Sequence, residues 1–395
     1  MFKPLHKLVL LITLLLIVLS SQMLMAQDQE PVRIAIAVAQ TGTASLFGQE
    51  QVIGAQLAVD YFNEQGGING RPIELVLQDA GTDEAGAISA FNTLIASDVV
   101  GIVGPTLSQQ GFASLPLAEE AGIPVLAPSN TAPGIPEVGA YIARVSAPVT
   151  VVAPNAINAA LTLDPAIADV AVFYAQNDAF SSSETTVFQS VITNLGLNLT
   201  TVQTFQTTDT DFTTQITNAL ATNPQLVVLS GLAVDGGNLI RQLREFGYTG
   251  LIVGGNGFNT PNIFPVCQQF CEGLIVAQAY SPLNPAEINT TFTQLYSDSQ
   301  DRTASQFSAQ AFAAVQVFVQ ALINLDNITP IADLDIATLR SLLNMSILAG
   351  GYDTPLGTIS FTPAGEIVQA QYYVAQVAMN DDGQTGEFSL VSGGE

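Results

Sequence analysis

The sequence predicts an α/β protein built of two doubly wound parallel-sheet lobes. Three observations carry this. Strand-like and helix-like segments alternate along nearly the whole chain, in two blocks. The strands are short apolar runs without clean alternation, as in sheets buried on both faces. About 370 residues lie beyond an N-terminal leader, more than one core ordinarily serves.

The leader comes first. Lys3, His6 and Lys7 precede an apolar run over 8–19 broken only by Thr13, and Met25-Ala26 precede Gln27. This is the pattern of a secretory signal peptide over residues 1–26. The run is shorter than the roughly 20 residues of a membrane-spanning helix, with an uncleaved anchor as the alternative. No cysteine lies near the cleavage region, so no lipid anchor is expected. The chain reads as exported across the cytoplasmic membrane, periplasmic or extracellular.

In the first block, residues 32–38 (VRIAIAV) read as a strand. A polar loop leads to a helix over 47–65, with Ile53, Leu57, Tyr61 and Phe62 on one face. Gly66-Gly67 ends it, since glycine accepts the left-handed conformation of a helix C-terminus. Asn69-Gly70 then turns into a strand at 73–78. A helix at 84–97, a strand at 99–103, a helix at 109–121 and a strand at 123–127 follow. Between the last strand pair, Pro105-Thr106-Leu107-Ser108 leads into a helix N-terminus. Free N–H groups and the positive end of the helix dipole make such a place a ready anion site.

The second block reads as helix 155–161, strand 170–174, helix 183–195, strand 198–205, helix 212–221, strand 226–229, helix 238–246 and strand 251–253. A further strand lies at 274–278. Helices at 287–299, 305–324 and 336–343 precede β-rich segments at 357–361 and 369–377. In doubly wound sheets ligands bind outside the carboxyl ends of the strands. The loops at 40–47, 104–108, 128–131, 177–181, 231–235 and 254–259 are therefore the functional candidates.

Composition excludes much chemistry. Both lysines and the single histidine lie in the leader, so beyond it all seven basic residues are arginine, against 34 Asp+Glu. Without His, a Ser-His-Asp or Cys-His site is impossible, as are His-based metal sites. Without Lys there is no P-loop and no Schiff-base amine. So acidic a surface is a poor partner for nucleic acid. No cofactor or metal is indicated. Cys267 and Cys271 are a disulfide candidate in an exported chain, the alternative being two buried thiols on one helical turn.

Several segments, in order, resemble the type I periplasmic binding proteins of ABC importers, specifically the branched-chain amino acid (leucine/isoleucine/valine) family. They are residues 49–59 (QEQVIGAQLAV), 66–72 (GGINGRP), Gln78-Asp79, 103–108 (VGPTLS), 121–132 (AGIPVLAPSNTA), 241–247 (RQLREFG) and 357–361 (GTISF). The resemblance implies a Venus flytrap: two lobes, a three-segment hinge, and a small solute enclosed between them. Lobe 1 is expected over 31–147 and 281–350, lobe 2 over 148–280 and 351–392. The partners implied are an amino acid or analogue and the permease and ATPase of an ABC importer, with the protein a monomer and not an enzyme.

Carried over residue by residue, Ser108 and Thr131 would meet a ligand carboxylate. The Ser129 carbonyl and the Thr131 hydroxyl would meet its ammonium. Phe47 and Phe180 would shield the ligand, and Leu232 falls where an aromatic often stands. The blander assignments are a helix cap or turn for Ser108 and Thr131, and core for the phenylalanines. The family's acid for the ammonium falls at Asn256, which brings no charge and weakens that contact by about 1.5–3 kcal/mol. Asp178 or Asp235 are candidates to compensate. The ligand is then an amino acid bound differently, an amide, or a carboxylate without an amine. Two further functions stand beside transport: a ligand sensor of the same fold, and a carboxylate-pair hydrolase, for which no motif is present.

Overall fold

A computed structural model describes residues 30–393; the expected signal peptide lies outside them. The first sheet is built from β1 (Val32–Val38), β2 (Ile73–Asp79), β3 (Gly101–Val103), β4 (Val125–Ala127) and β5 (Ile142–Arg144). All are parallel, in the order β2-β1-β3-β4-β5. Its helices are α1 (Ser45–Glu64), α2 (Glu84–Ile95) and α3 (Ser108–Glu120). From Ile34 to Val38 β1 has no exposed surface, which is why its sequence does not alternate. Edge strand β2 swings between buried and exposed positions. Asp83 starts α2 by accepting from the Gly86 N–H at 2.7 Å.

The second lobe takes α4 (Val149–Leu163), β6 (Asp169–Ala175), α5 (Ala179–Asn194), β7 (Asn198–Phe205), α6 (Thr213–Leu220), β8 (Leu226–Ser230), α7 (Ala233–Glu245), β9 (Leu251–Gly254), the single turn α8 (Phe264–Cys267) and β10 (Ile275–Gln278). The chain then returns to the first lobe with α9 (Glu287–Gln300), α10 (Gln306–Ile328) and α11 (Ile336–Ala349). A three-stranded antiparallel sheet of β11 (Gly351–Thr354), β12 (Gly357–Phe361) and β13 (Ile367–Gln369) follows. β14 (Tyr373–Met379) and β15 (Gly386–Gly393) complete the second sheet, in the order β15-β14-β10-β9-β8-β6-β7. Its strands from β7 to β10 are parallel; β14 and β15 run antiparallel.

Each sheet has a core on both faces. The largest lies where α1 and α10 pack behind the first sheet. The two helix backbones approach so closely that a Cβ at Gly54 would stand 2.0 Å from the Ser308 carbonyl oxygen, so only glycine fits there. Among the described residues α10 is the one helix long and apolar enough to cross a membrane. Its apolar window is 83% buried inside the protein, which makes it a core helix.

Several features differ from the sequence reading. The sequence reading lacks β5, β11 and β15. α4 begins at Val149 rather than 155, with Pro154 inside it, where an interior proline normally marks a boundary. The segment 351–369, placed in lobe 2 by sequence, packs in lobe 1. Tyr352, Leu356, Ile359, Phe361 and Ile367 share one core with Val32 and Phe312, and the Gly365 carbonyl accepts from the Arg144 N–H. A β pattern names a strand without naming the sheet it joins. Cys267 and Cys271 are joined as a disulfide, Cα to Cα 5.4 Å, buried in the second lobe.

The chain passes between the lobes three times: between Val145 and Ala147, between Ala279 and Tyr280, and between Gln369 and Val374. The Gln369 side-chain amide donates to the carbonyls of Ala279, Leu356 and Gln371, tying the second and third crossings together.

Candidate functional site

Both sheets reverse their strand order at one place. In the first sheet β1 lies between β2 and β3; in the second β6 lies between β7 and β8. The loops at these switch points face each other across a cleft. Its walls are Phe47, Thr106, Leu107, Ser108, Ser129 and Phe307 on one side, and Phe180, Leu232, Asn256 and Gly257 on the other. Each loop leaves the carboxyl end of its strand, where doubly wound sheets bind ligands. The cleft leaves about 290 Å³ free of protein atoms, its mouth included. The walls are close-set.

Six sequence candidates, Phe47, Ser108, Ser129, Phe180, Leu232 and Asn256, line this one cleft. Thr131 does not. Its carbonyl accepts from the Val149 N–H at 3.2 Å, and its hydroxyl is buried without a partner. Phe307, which the sequence reading missed, packs on Phe47 with ring centroids 4.6 Å apart. Nothing local marks it, because it begins a core helix remote in sequence.

The first wall is built around the N-terminus of α3. The first helical bond runs from the Gly111 N–H to the Leu107 carbonyl, so the N–H groups of Ser108, Gln109 and Gln110 have no acceptor within the helix. No acidic residue stands in this first turn. The Gln110 side chain holds the turn in place, accepting from the Leu107 N–H and donating to the carbonyls of Ala80 and Gly81. The Ser108 hydroxyl accepts only a long 3.4 Å contact from the Ala132 N–H, which leaves its proton free.

Beneath lies a closed polar ring that the sequence reading also missed. Gln51 donates to the Ser129 hydroxyl at 2.7 Å, Ser129 donates to the Thr106 carbonyl at 2.6 Å, and the Thr106 hydroxyl donates to Gln51 at 2.7 Å. The Ser129 hydroxyl is thereby committed to the floor, and its main-chain carbonyl is what it can offer a solute.

The second wall is different. Asp178 caps α5, accepting from the Ser181 N–H at 2.8 Å. Asp235 accepts from the Leu232 N–H at 3.0 Å at the start of α7. These are the two acids offered as compensating for Asn256; both are buried at helix starts, each with one oxygen unpartnered, and neither lines the cleft. Behind the Gly255-Asn256 peptide, Glu184 accepts from the Ser230 hydroxyl at 2.5 Å and the Asn256 N–H at 2.9 Å. Burial pushes the Glu184 and Asp235 carboxyls up to about 7, against the pull of these hydrogen bonds. Burial also raises Asp178.

Contacts across the cleft hold the walls together. The Ala179 N–H donates to Gln109 at 3.3 Å, Asn262 donates to the Leu46 carbonyl at 3.1 Å, and Gln306 donates to Asn256 at 2.7 Å. Phe47, Leu107 and Phe307 from one lobe form a single apolar cluster with Phe180 and Leu232 from the other. Among the described residues no group of His, Cys, Asp or Glu is arranged to hold a metal.

Two sheet switch points, one on each lobe, facing each other across one cleft define a solute-binding protein of the type I periplasmic kind. The chain belongs to the periplasmic binding protein family, whose model matches residues 31–384. A Pseudomonas aeruginosa leucine-, isoleucine-, valine-, threonine- and alanine-binding protein is 23% identical over 352 residues, covering 87% of this chain and 89% of that one. The substrate-binding protein of a branched-chain amino acid transporter from Streptococcus pneumoniae, solved with isoleucine, superposes with a TM-score of 0.81 at 22% identity, covering 92% of this chain and 99% of that one. An ABC-transporter solute-binding protein from Rhodopseudomonas palustris, solved with 3,4-dihydroxybenzoic acid, gives 0.79 at 19% identity, covering 92% and 97%. Family membership implies an extracytoplasmic location.

Proposed function

We propose that this protein captures a small carboxylate in the cleft by lobe closure and delivers it to the permease of an ABC importer. The observation that carries this is the N-terminus of α3 at a switch point: the N–H groups of Ser108, Gln109 and Gln110 have no acceptor within the helix, Ser108 lines the cleft with its hydroxyl proton free, and no acid stands in the first turn. An anion is what such a place stabilises. Apolar residues from both lobes surround it, which suits a solute with a small apolar body. A solute touching both walls stabilises the closed form by its differential affinity for it. Relatives that bind isoleucine and a dihydroxybenzoate share this fold, and a carboxylate is common to both ligands.

Calorimetric titration with small carboxylates, with and without an α-amine, tests the reading. At least one is expected to bind and to compact the protein in small-angle scattering. A folded protein that binds none of them overturns the proposal.

A further inference from the structure

Asn256 lines the cleft from the second lobe and is 7% exposed. A side-chain amide can turn either its oxygen or its nitrogen to a ligand, and two neighbours decide which. The Gln306 oxygen accepts from the Ala279 main-chain N–H at 2.7 Å. A main-chain N–H can only donate, so the other end of Gln306 is its NH2 group, and that end lies 2.7 Å from Asn256. Asn259 is fixed in the same way. Its NH2 donates to the Ala277 carbonyl at 2.7 Å and reaches Asn256 at 3.3 Å. Two NH2 groups thus converge on one atom of Asn256, which must be the oxygen. Its Nδ2 has no partner within the protein, and Asn256 presents a donor to the cleft.

The cleft then has donors on both sides: Ser108 at the N-terminus of α3 on one wall, Asn256 Nδ2 on the other. Acceptors on the wall are neutral carbonyls such as that of Ser129. None of the residues lining the cleft is charged. Glu184 is behind the Gly255-Asn256 peptide with both oxygens engaged; Asp178 and Asp235 each engage one oxygen at a helix start and keep the other buried without a partner, and neither residue lines the cleft.

We propose that the solute is a carboxylate without an α-ammonium, a 2-oxo or 2-hydroxy acid whose second oxygen accepts from Asn256. The Gln306 amide makes, from within the protein, the contact to residue 256 that a ligand cation would otherwise make. This rests on the carboxylate-capture reading above and narrows it.

The test pairs acids of one skeleton, with and without the amine: alanine and pyruvate, leucine and 4-methyl-2-oxopentanoate, phenylalanine and phenylpyruvate. In calorimetry at pH 7 the best oxo acid is expected to bind at least 10-fold tighter than its amino acid. Asn256→Asp, which restores an acid, is expected to move that ratio at least 10-fold toward the amino acid. Gln306→Leu, which lets Asn256 turn over, is expected to narrow the ratio and serves if N256D does not fold. An amino acid that binds the wild type as tightly as its oxo acid overturns the inference and leaves carboxylate capture standing. So does an unchanged ratio in the folded variants. Failure of every acid in both series to bind folded protein overturns carboxylate capture itself.

Discussion

The two walls of the cleft are made of the same parts and end in opposite states. Each presents helix N-termini at the carboxyl ends of parallel strands. In the first lobe the α3 N-terminus carries no acid, and its leading N–H groups are free. In the second lobe the N-terminus of α5 is capped by Asp178, and the first turn of α7 carries the carboxylate of Asp235, which accepts from the Leu232 N–H where α3 has the neutral Gln110 on the Leu107 N–H. An open helix end is a binding group; a capped one is a structural group. The fold supplies both, and a single side chain near the helix start decides between them.

The comparison breaks most sharply if the first wall is made like the second. Ser108→Asp puts a carboxylate at the start of α3, where it would take the free N–H groups. Loss of carboxylate binding by at least 100-fold is expected, about 2.7 kcal/mol, with the melting temperature held or raised. Calorimetry and thermal scans check both halves, and retained affinity would place the anion elsewhere.

On the second wall a smaller change acts through packing. A Cβ at Gly255 would stand 1.7 Å from a Glu184 carboxylate oxygen. Gly255→Ala is expected to cost about 1–3 kcal/mol in urea unfolding. No loss would mean that Glu184 does not press on this peptide.

The mildest change sharpens the charge difference. Glu184 and Asp235 hold their protons more tightly in the folded state than unfolded, since burial lifts both to about 7 from 4.5 and 3.8. Their contribution to stability is therefore full below about pH 4 and is lost as the pH rises toward 7. Glu184→Gln keeps the shape, with an oxygen for the Asn256 N–H and an NH2 for Ser230. It is expected to stabilise the protein at pH 8 by about 1–2 kcal/mol and to do nothing at pH 4. Urea midpoints at the two pH values read this directly; equal shifts at both would remove titration as the cause.

Much of this was legible before any coordinates. Residues 32–38 announce a doubly buried strand, and the Pro105–Ser108 stretch announces a strand handing over to a helix, because both signals lie within a few neighbouring residues. The cleft loops were found for the same reason: they follow strand ends. What stayed hidden depends on partners far along the chain. Gln51 and Thr106 are unremarkable singly and become a ring only with Ser129. The segment 351–369 has a strand pattern whichever lobe it joins. The orientation of Asn256 is set by residues 259 and 306, themselves anchored to the main chain at 277 and 279. No local pattern encodes it.

The main chain at Ala279, at the second crossing between the lobes, is gripped on both sides of its Cα. Its N–H goes to Gln306 and its carbonyl to Gln369. That places two side-chain anchors on one residue of the joint. Any twist of the joint at this point strains both grips at once, and Gln306 passes the torque to the amide that steadies Asn256. The jaw and the pivot of this clamp share a single link, so how wide it opens and what it grips are mechanically one property.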